Sequence, residues 1–138
     1  MEIKKISIKN KMDQLEDVQQ FLEQLGMEWQ LDARMIFEIN LVLEEYITNL
    51  VNYGYHDREN HDIIIEILKE ETQLKIIIID DAGPFNILET PDNEDVEKPV
   101  GERRIGGLGI HFIKKLTDQL EYQSVGGMNR LEMVKKLH

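Results

Sequence analysis

The 138-residue sequence contains no cysteine. That excludes a disulfide scaffold, a Cys-ligated zinc or iron–sulfur centre and a thiol nucleophile. Positive charge is short: 16 Lys and Arg stand against 27 Asp and Glu, a formal net charge of −11. A nucleic-acid binder draws affinity from Lys and Arg, so this balance argues against one. It argues equally against docking on an anionic membrane. Long apolar runs are missing too. The longest is the four isoleucines at 76–79, closed by Asp80 and Asp81, against roughly 20 residues needed to span a bilayer. The N-terminal stretch is basic but has no apolar signal-peptide core. The expectation is a soluble cytoplasmic protein with one domain over 1–138. At 41% hydrophobic residues, the chain has the material for a core.

Hydrophobic spacing gives the elements. Residues 6–8 read as a short edge strand, and 12–25 as a helix with Gly26 as its C-cap. Asp32 is a reasonable N-cap for a helix over 33–53, which is apolar almost all round and therefore expected to be buried. Gly54 ends it. Strands at 63–68 and 74–79 form an antiparallel hairpin. The stretch 87–105 holds Pro91, Pro99, Gly101 and an acidic run, and reads as a long loop or lid. A helix over 110–120 follows, then strands at 122–125 and 131–134 around a Gly126-Gly127 turn. The order β-α-α-β-β-lid-α-β-β predicts an α+β fold, a two-layer sandwich of helices on a mixed, mostly antiparallel sheet.

Three features could carry chemistry. Glu45 and Asn49 lie four apart on the buried helix and share a face, with Glu38 and Asn52 near it. A polar stripe there needs partners, and carboxylate and amide oxygens suit a hard cation. The spacing alone is uninformative, since it recurs at Glu89 and Asn93. Asp80-Asp81-Ala82-Gly83-Pro84-Phe85-Asn86 ends an isoleucine-rich strand. It reads either as a plain Asx-type turn or as a buried Asp accepting from a ligand amine. Gly106-Gly107-Leu108-Gly109 opens a helix after the long loop, with Arg103 and Arg104 just before it. A glycine-rich helix N-terminus suits phosphate, and Arg pairs with phosphate oxygens. The bland alternative is a hinge with an N-cap. There is no P-loop sequence, no nucleophile elbow and no histidine pair at metal-ligand spacing.

In this order the features resemble the GHKL (Bergerat-fold) ATPases, and within them the small anti-sigma-factor serine kinases of the RsbW and SpoIIAB type. Leu43-Glu44-Glu45-Tyr46-Ile47-Thr48-Asn49 resembles the E-x-x-[ST]-N box, and Asn52-Tyr53-Gly54-Tyr55 its exit. Residues 80–86 resemble the D-x-G-x-[PS]-F-[DN] box, 105–110 the G-[LM]-G lid end, and Gly127-Met128-Asn129-Arg130-Leu131 the final box. The resemblance covers nearly the whole chain.

It implies ATP and Mg²⁺ as ligands. Glu45 would be the general base, and Asn49 the metal ligand. Asp80 would bind the adenine amino group, with Asn52, Ala82, Phe85 and Asn129 lining the nucleotide site. Gly106, Gly107, Leu108, Gly109 and Ile110 would cradle the phosphates, with Arg103 or Arg104 near the γ-phosphate. Ala82 and Asn129 depart from the usual Gly and Thr. A register with Asp81 as the adenine residue is the alternative, but it loses the match at Phe85 and Asn86. The implied partners are a STAS-type anti-anti-sigma protein and a sigma factor, with a homodimer as a further assembly. The competing readings are a non-catalytic ATP-dependent switch and an ATPase domain related to histidine kinases.

Overall fold

The computed structural model describes residues 2–87 and 107–137, with backbone alone at 107–110. The expected lid, Ile87 apart, lies outside the described residues, as do Arg103, Arg104 and Gly106. The elements are β1 (Glu2–Lys9), α1 (Leu15–Glu28), α2 (Ala33–Asn49), β2 (Asp62–Lys69), β3 (Gln73–Asp80), α3 (Gly107–Leu116), β4 (Gln119–Val125) and β5 (Met128–Lys136). A 3-10 turn, Met12–Gln14, precedes α1, and a π-helical turn, Leu50–Gly54, prolongs α2.

The sheet order is β1-β2-β3-β5-β4. Every described pairing is antiparallel, so the expected mixed sheet is corrected to an antiparallel one. Ile63, Ile65 and Ile67 of β2 point to one face with Ile76 and Ile78 of β3, as the two-residue period requires. They are buried with Met35, Ile39, Leu43 and Ile47, the seam of α2. β3 sits centrally between β2 and β5, so Ile77 on its other face is buried as well. This is why the 76–79 run shows no alternation. The result is the expected two-layer α+β arrangement.

Four further expectations need correction. β1 has eight residues where three were expected. It is an edge strand, as read, and among its residues Ile8 alone is buried, so its hydrophobic signal is thin. Gly26 is not a cap but lies inside α1. A Cβ there would come within 2.8 Å of Ile36 Cγ1, so this glycine lets α2 approach closely. The last helix stops at Leu116, and Leu120 belongs to β4. Glu38 does not extend a free polar stripe. Its carboxylate accepts from Lys135 Nζ at 3.1 Å, and Lys135 also donates to the Leu116 carbonyl at 2.7 Å. Both side chains are nearly buried, which ties α2, β5 and the end of α3 together.

The loop after the π turn is closed by His61. Its Nδ1 lies 2.9 Å from Asp81 Oδ2 and its Nε2 lies 2.8 Å from Asp57 Oδ1. Only the doubly protonated ring donates to both carboxylates. Tyr55 stacks on the ring with centroids 4.5 Å apart.

Two outcomes follow from these contacts. Asp32 caps α2 by accepting from Met35 N at 2.8 Å. Asp32→Ala should cost about 1 kcal/mol in denaturant unfolding. Asp81 first, and Asp57 next, raise the His61 pKa. An unfolded histidine titrates near about 6.5. The clamp's stabilisation is therefore complete below that value and is lost as pH rises through the raised folded-state value. Melting curves should show wild type exceeding His61→Gln most at pH 6, with the gap closing towards pH 9. A gap independent of pH would contradict the charged clamp.

Candidate functional site

The π turn at the end of α2 and the turn that follows β3 meet. The Gly83 amide donates to the Gly54 carbonyl at 2.9 Å. A Cβ at Gly54 would sit 3.0 Å from the Ala82 Cβ, so the glycine permits this contact. A cavity of about 220 Å³ opens beside the junction. Asn49, Tyr46 and Tyr53 form its α2 side, and Gly83, Pro84 and Phe85 its other wall. That volume is below the roughly 300–1,000 Å³ of a drug-sized ligand site, and suits one heterocycle better than a whole nucleotide.

The turn starts at Asp80, whose side chain is fully buried. Its Oδ1 accepts from the Ala82 amide at 3.0 Å and from Asn129 Nδ2 at 2.8 Å. Its Oδ2 has no partner among the described residues. Burial raises the Asp80 pKa, and the two hydrogen bonds oppose that rise. Asp81 is exposed and is occupied by His61. The two aspartates are therefore not equivalent, because strand alternation turns one inward and the next outward. Asn129 lies opposite Asp80 in the β3–β5 ladder. Its amide also donates to the Ala82 carbonyl at 2.8 Å, and its Oδ1 accepts from the Tyr122 hydroxyl at 2.7 Å. That hydroxyl in turn accepts from the Phe85 amide at 3.0 Å.

Glu45 is half-buried on α2, and burial first, then neighbouring Glu44, raises its pKa. Burial also holds the Tyr46 phenol well above its usual range, with Asp80 adding to it. Asn52 is exposed and is not among the residues lining the cavity. The π turn explains this, because its wider i→i+5 pitch shifts the helical phase after Asn49. Tyr53 and Gly54 take the lining positions instead. Gly107, Leu108, Gly109 and Ile110 form the first turn of α3.

Of the expected site residues, the structure brings Asp80, Ala82, Phe85 and Asn129 into one hydrogen-bonded group, and Asn49 lines the cavity beside it. Neither Glu45 nor Asp80 lines that cavity. Sequence reasoning missed Tyr122, His56, which lines the cavity, and the structural use of His61. Tyr122 faces inward opposite Leu131 in the β4–β5 ladder. Only the strand register, which the sequence did not give with this accuracy, points that phenol at Asn129.

The profile of the histidine kinase-like ATPase domain matches residues 8–135. The chain is 33% identical to the anti-sigma F factor of Oceanobacillus iheyensis over 95 residues, 67% of this chain and 64% of that protein. It is 33% identical to the serine-protein kinase RsbW of Listeria monocytogenes over 90 residues, 62% of this chain and 57% of that one. The matches thus span less than two thirds of these relatives. Its fold is similar to the crystal structure of the RsbU and RsbW domains of Rv1364c from Mycobacterium tuberculosis. The TM-score is 0.68 at 15% identity, covering 99% of this chain and 33% of that one. No helix among the described residues is long and apolar enough to cross a membrane. With its motif order, its sheet and a match from residue 8 to residue 135, the chain belongs to the histidine kinase-like ATPase domain family.

Proposed function

We propose that the chain binds ATP with Mg²⁺ at this cavity and phosphorylates a serine or threonine of a protein partner, as an anti-sigma-factor kinase would. The partner would be a STAS-type anti-anti-sigma protein, with a sigma factor held in alternation, inside the cytoplasm. Residues 1–138 would act as one nucleotide-binding unit.

The observation that carries nucleotide binding is the buried, unpartnered Oδ2 of Asp80, at the start of the turn whose Gly83, Pro84 and Phe85 wall the cavity. A buried acceptor without a donor is costly, and an exocyclic amine of a base is a donor of the right kind. A base with a carbonyl at that position would set acceptor against acceptor. Asn49 offers an amide oxygen to a divalent ion, as a hard ligand should. When bound, the ion would neutralise phosphate charge. Gly107, Leu108, Gly109 and Ile110 form the first turn of α3, whose amides lack partners within the helix and where the helix dipole favours phosphate. Arg103, Arg104 and Gly106 keep the roles that the resemblance gave them. Glu45 would take the proton of an attacking hydroxyl onto its carboxylate. Its partial burial makes it a better proton acceptor than an exposed glutamate. Phosphoryl transfer of this kind depends mainly on positioning and charge neutralisation.

Two substitutions separate binding from chemistry. Asp80→Asn places an amide donor where the free oxygen stands, so calorimetry should find ATP affinity reduced by about 10-fold or more. Its melting temperature should stay near that of wild type, because one amide oxygen still accepts from Ala82 and Asn129. Glu45→Gln should leave ATP binding intact while transfer to the partner falls by about 10²–10⁴-fold. Transfer at the wild-type rate would remove Glu45 as the base. ATP binding that changes partner affinity without turnover in wild type would instead establish a non-catalytic switch.

A further inference from the structure

Tyr122 is outside the motifs and does not line the cavity, yet its hydroxyl bridges two parts of the site. It accepts from the Phe85 amide and donates to Asn129 Oδ1. A phenol has one hydrogen, and the Phe85 amide can only donate. The phenol hydrogen therefore must go to Asn129. Asn129 then presents its NH₂ to Asp80 Oδ1 and the Ala82 carbonyl, which are both acceptors. A flipped amide would face two acceptors with its oxygen and the phenol with its nitrogen. The direction of every hydrogen bond from Phe85 through Tyr122 and Asn129 to Asp80 is thus fixed.

We propose that Tyr122 is a positioning residue for base recognition: its hydroxyl couples the Phe85 wall of the cavity to the Asn129–Asp80 pair and so holds the free Asp80 oxygen in place. The proposal rests on the reading of Asp80 as the acceptor for a base amine. Asp80 Oδ1 is saturated by two donors, which leaves Oδ2 as the recognising atom. Asn129 is almost fully buried, so losing the phenol strands its oxygen without a donor. The amide then gains by shifting towards water or the Phe85 amide. Any shift releases Asp80 Oδ1 and the Ala82 carbonyl together. The carboxylate is then free to exchange its two oxygens, and the preference for a 6-amino group weakens. Networks of this kind couple more strongly than single contacts, since each donor polarises the next.

The test is calorimetric titration with ATP and with the triphosphate of purine riboside, which lacks the 6-amino group. Wild type should prefer ATP by about tenfold or more, because a buried acceptor rejects a ligand without the donor. Tyr122→Phe should cut that preference by about fivefold, with affinity for the purine riboside triphosphate changed less than twofold. In an Asp80→Asn background the same substitution should leave the preference unchanged, since the two residues act through one atom. If the Phe variant shows no melting transition, Tyr122→Met, also without a hydroxyl, takes its place. An unaltered preference in the variant overturns the proposal and leaves the Asp80 reading standing. Equal loss for both ligands also overturns it, by making Tyr122 purely structural. Wild type that does not distinguish the ligands overturns the Asp80 reading, and this proposal with it.

Discussion

The constraint on which the site depends is the burial of one carboxylate. Asp80 ends the central strand of the sheet with its side chain inaccessible to solvent. Burying a charge is costly unless hydrogen bonds compensate, and here they compensate one oxygen only. The fold supplies the donors from two directions. The Ala82 amide comes from the turn that Asp80 itself begins, and the Asn129 amide from the neighbouring strand. The antiparallel register of β3 and β5 sets Asn129 directly opposite Asp80, so a one-residue slip of β5 would turn Asn129 to the other face. The sheet's hydrophobic pattern therefore fixes the polar site as firmly as it fixes the core.

The cavity depends on a second meeting point. α2 is held on the sheet by its isoleucine and leucine seam, and the π turn carries its end to the turn after β3. Gly54 is what allows these backbones to touch, through the Gly83 hydrogen bond and the close Ala82 methyl. Ala82 stands where the motif that residues 80–86 resemble has glycine, and it fits because position 54 has no side chain. The departure at 82 is thus absorbed by the glycine at 54. His61 closes the loop that follows, binding Asp81 at the same strand end that bears Asp80. One aspartate faces the core and its neighbour braces the loop.

Much of this was legible in the sequence. The α+β layering, the hairpin of β2 and β3, the Asp32 cap and the glycine turn at 126–127 all follow from periodicity and turn chemistry. Both turn glycines adopt positive φ, 64° and 80°, as a tight hairpin there demands. What was not legible has a common cause: it depends on distances across the sheet. The extent of β1 comes from its ladder with β2, not from its own weak alternation. Gly26 looks like a helix stop until α2 is laid across it. The phase of Asn52 is lost to a π turn that no spacing rule announces. Tyr122 and Asn129 are seven residues apart around a hairpin, and only the ladder shows that they touch.

The polar residues of α2 and β3 divide along one physical line. Glu38 has its cation within the chain, in Lys135, and so it is accounted for by stability alone. Asp81 has His61, and Asp80 Oδ1 has Asn129 and Ala82. Asp80 Oδ2 is different: it is buried, polar and unmatched, and no contact among the described residues repays it. A protein of marginal stability retains such an atom at a cost of the order of 1–3 kcal/mol. Glu45 is only half-buried, and burial first, then Glu44, raises its pKa. An apolar side chain of similar size at position 80 would avoid that cost. An external donor to Oδ2 would offset it. Glu38, Asp81 and Asp80 Oδ1 are thus satisfied within the chain, while Asp80 Oδ2, with the Tyr55 hydroxyl, is a buried polar atom without a partner among the described residues.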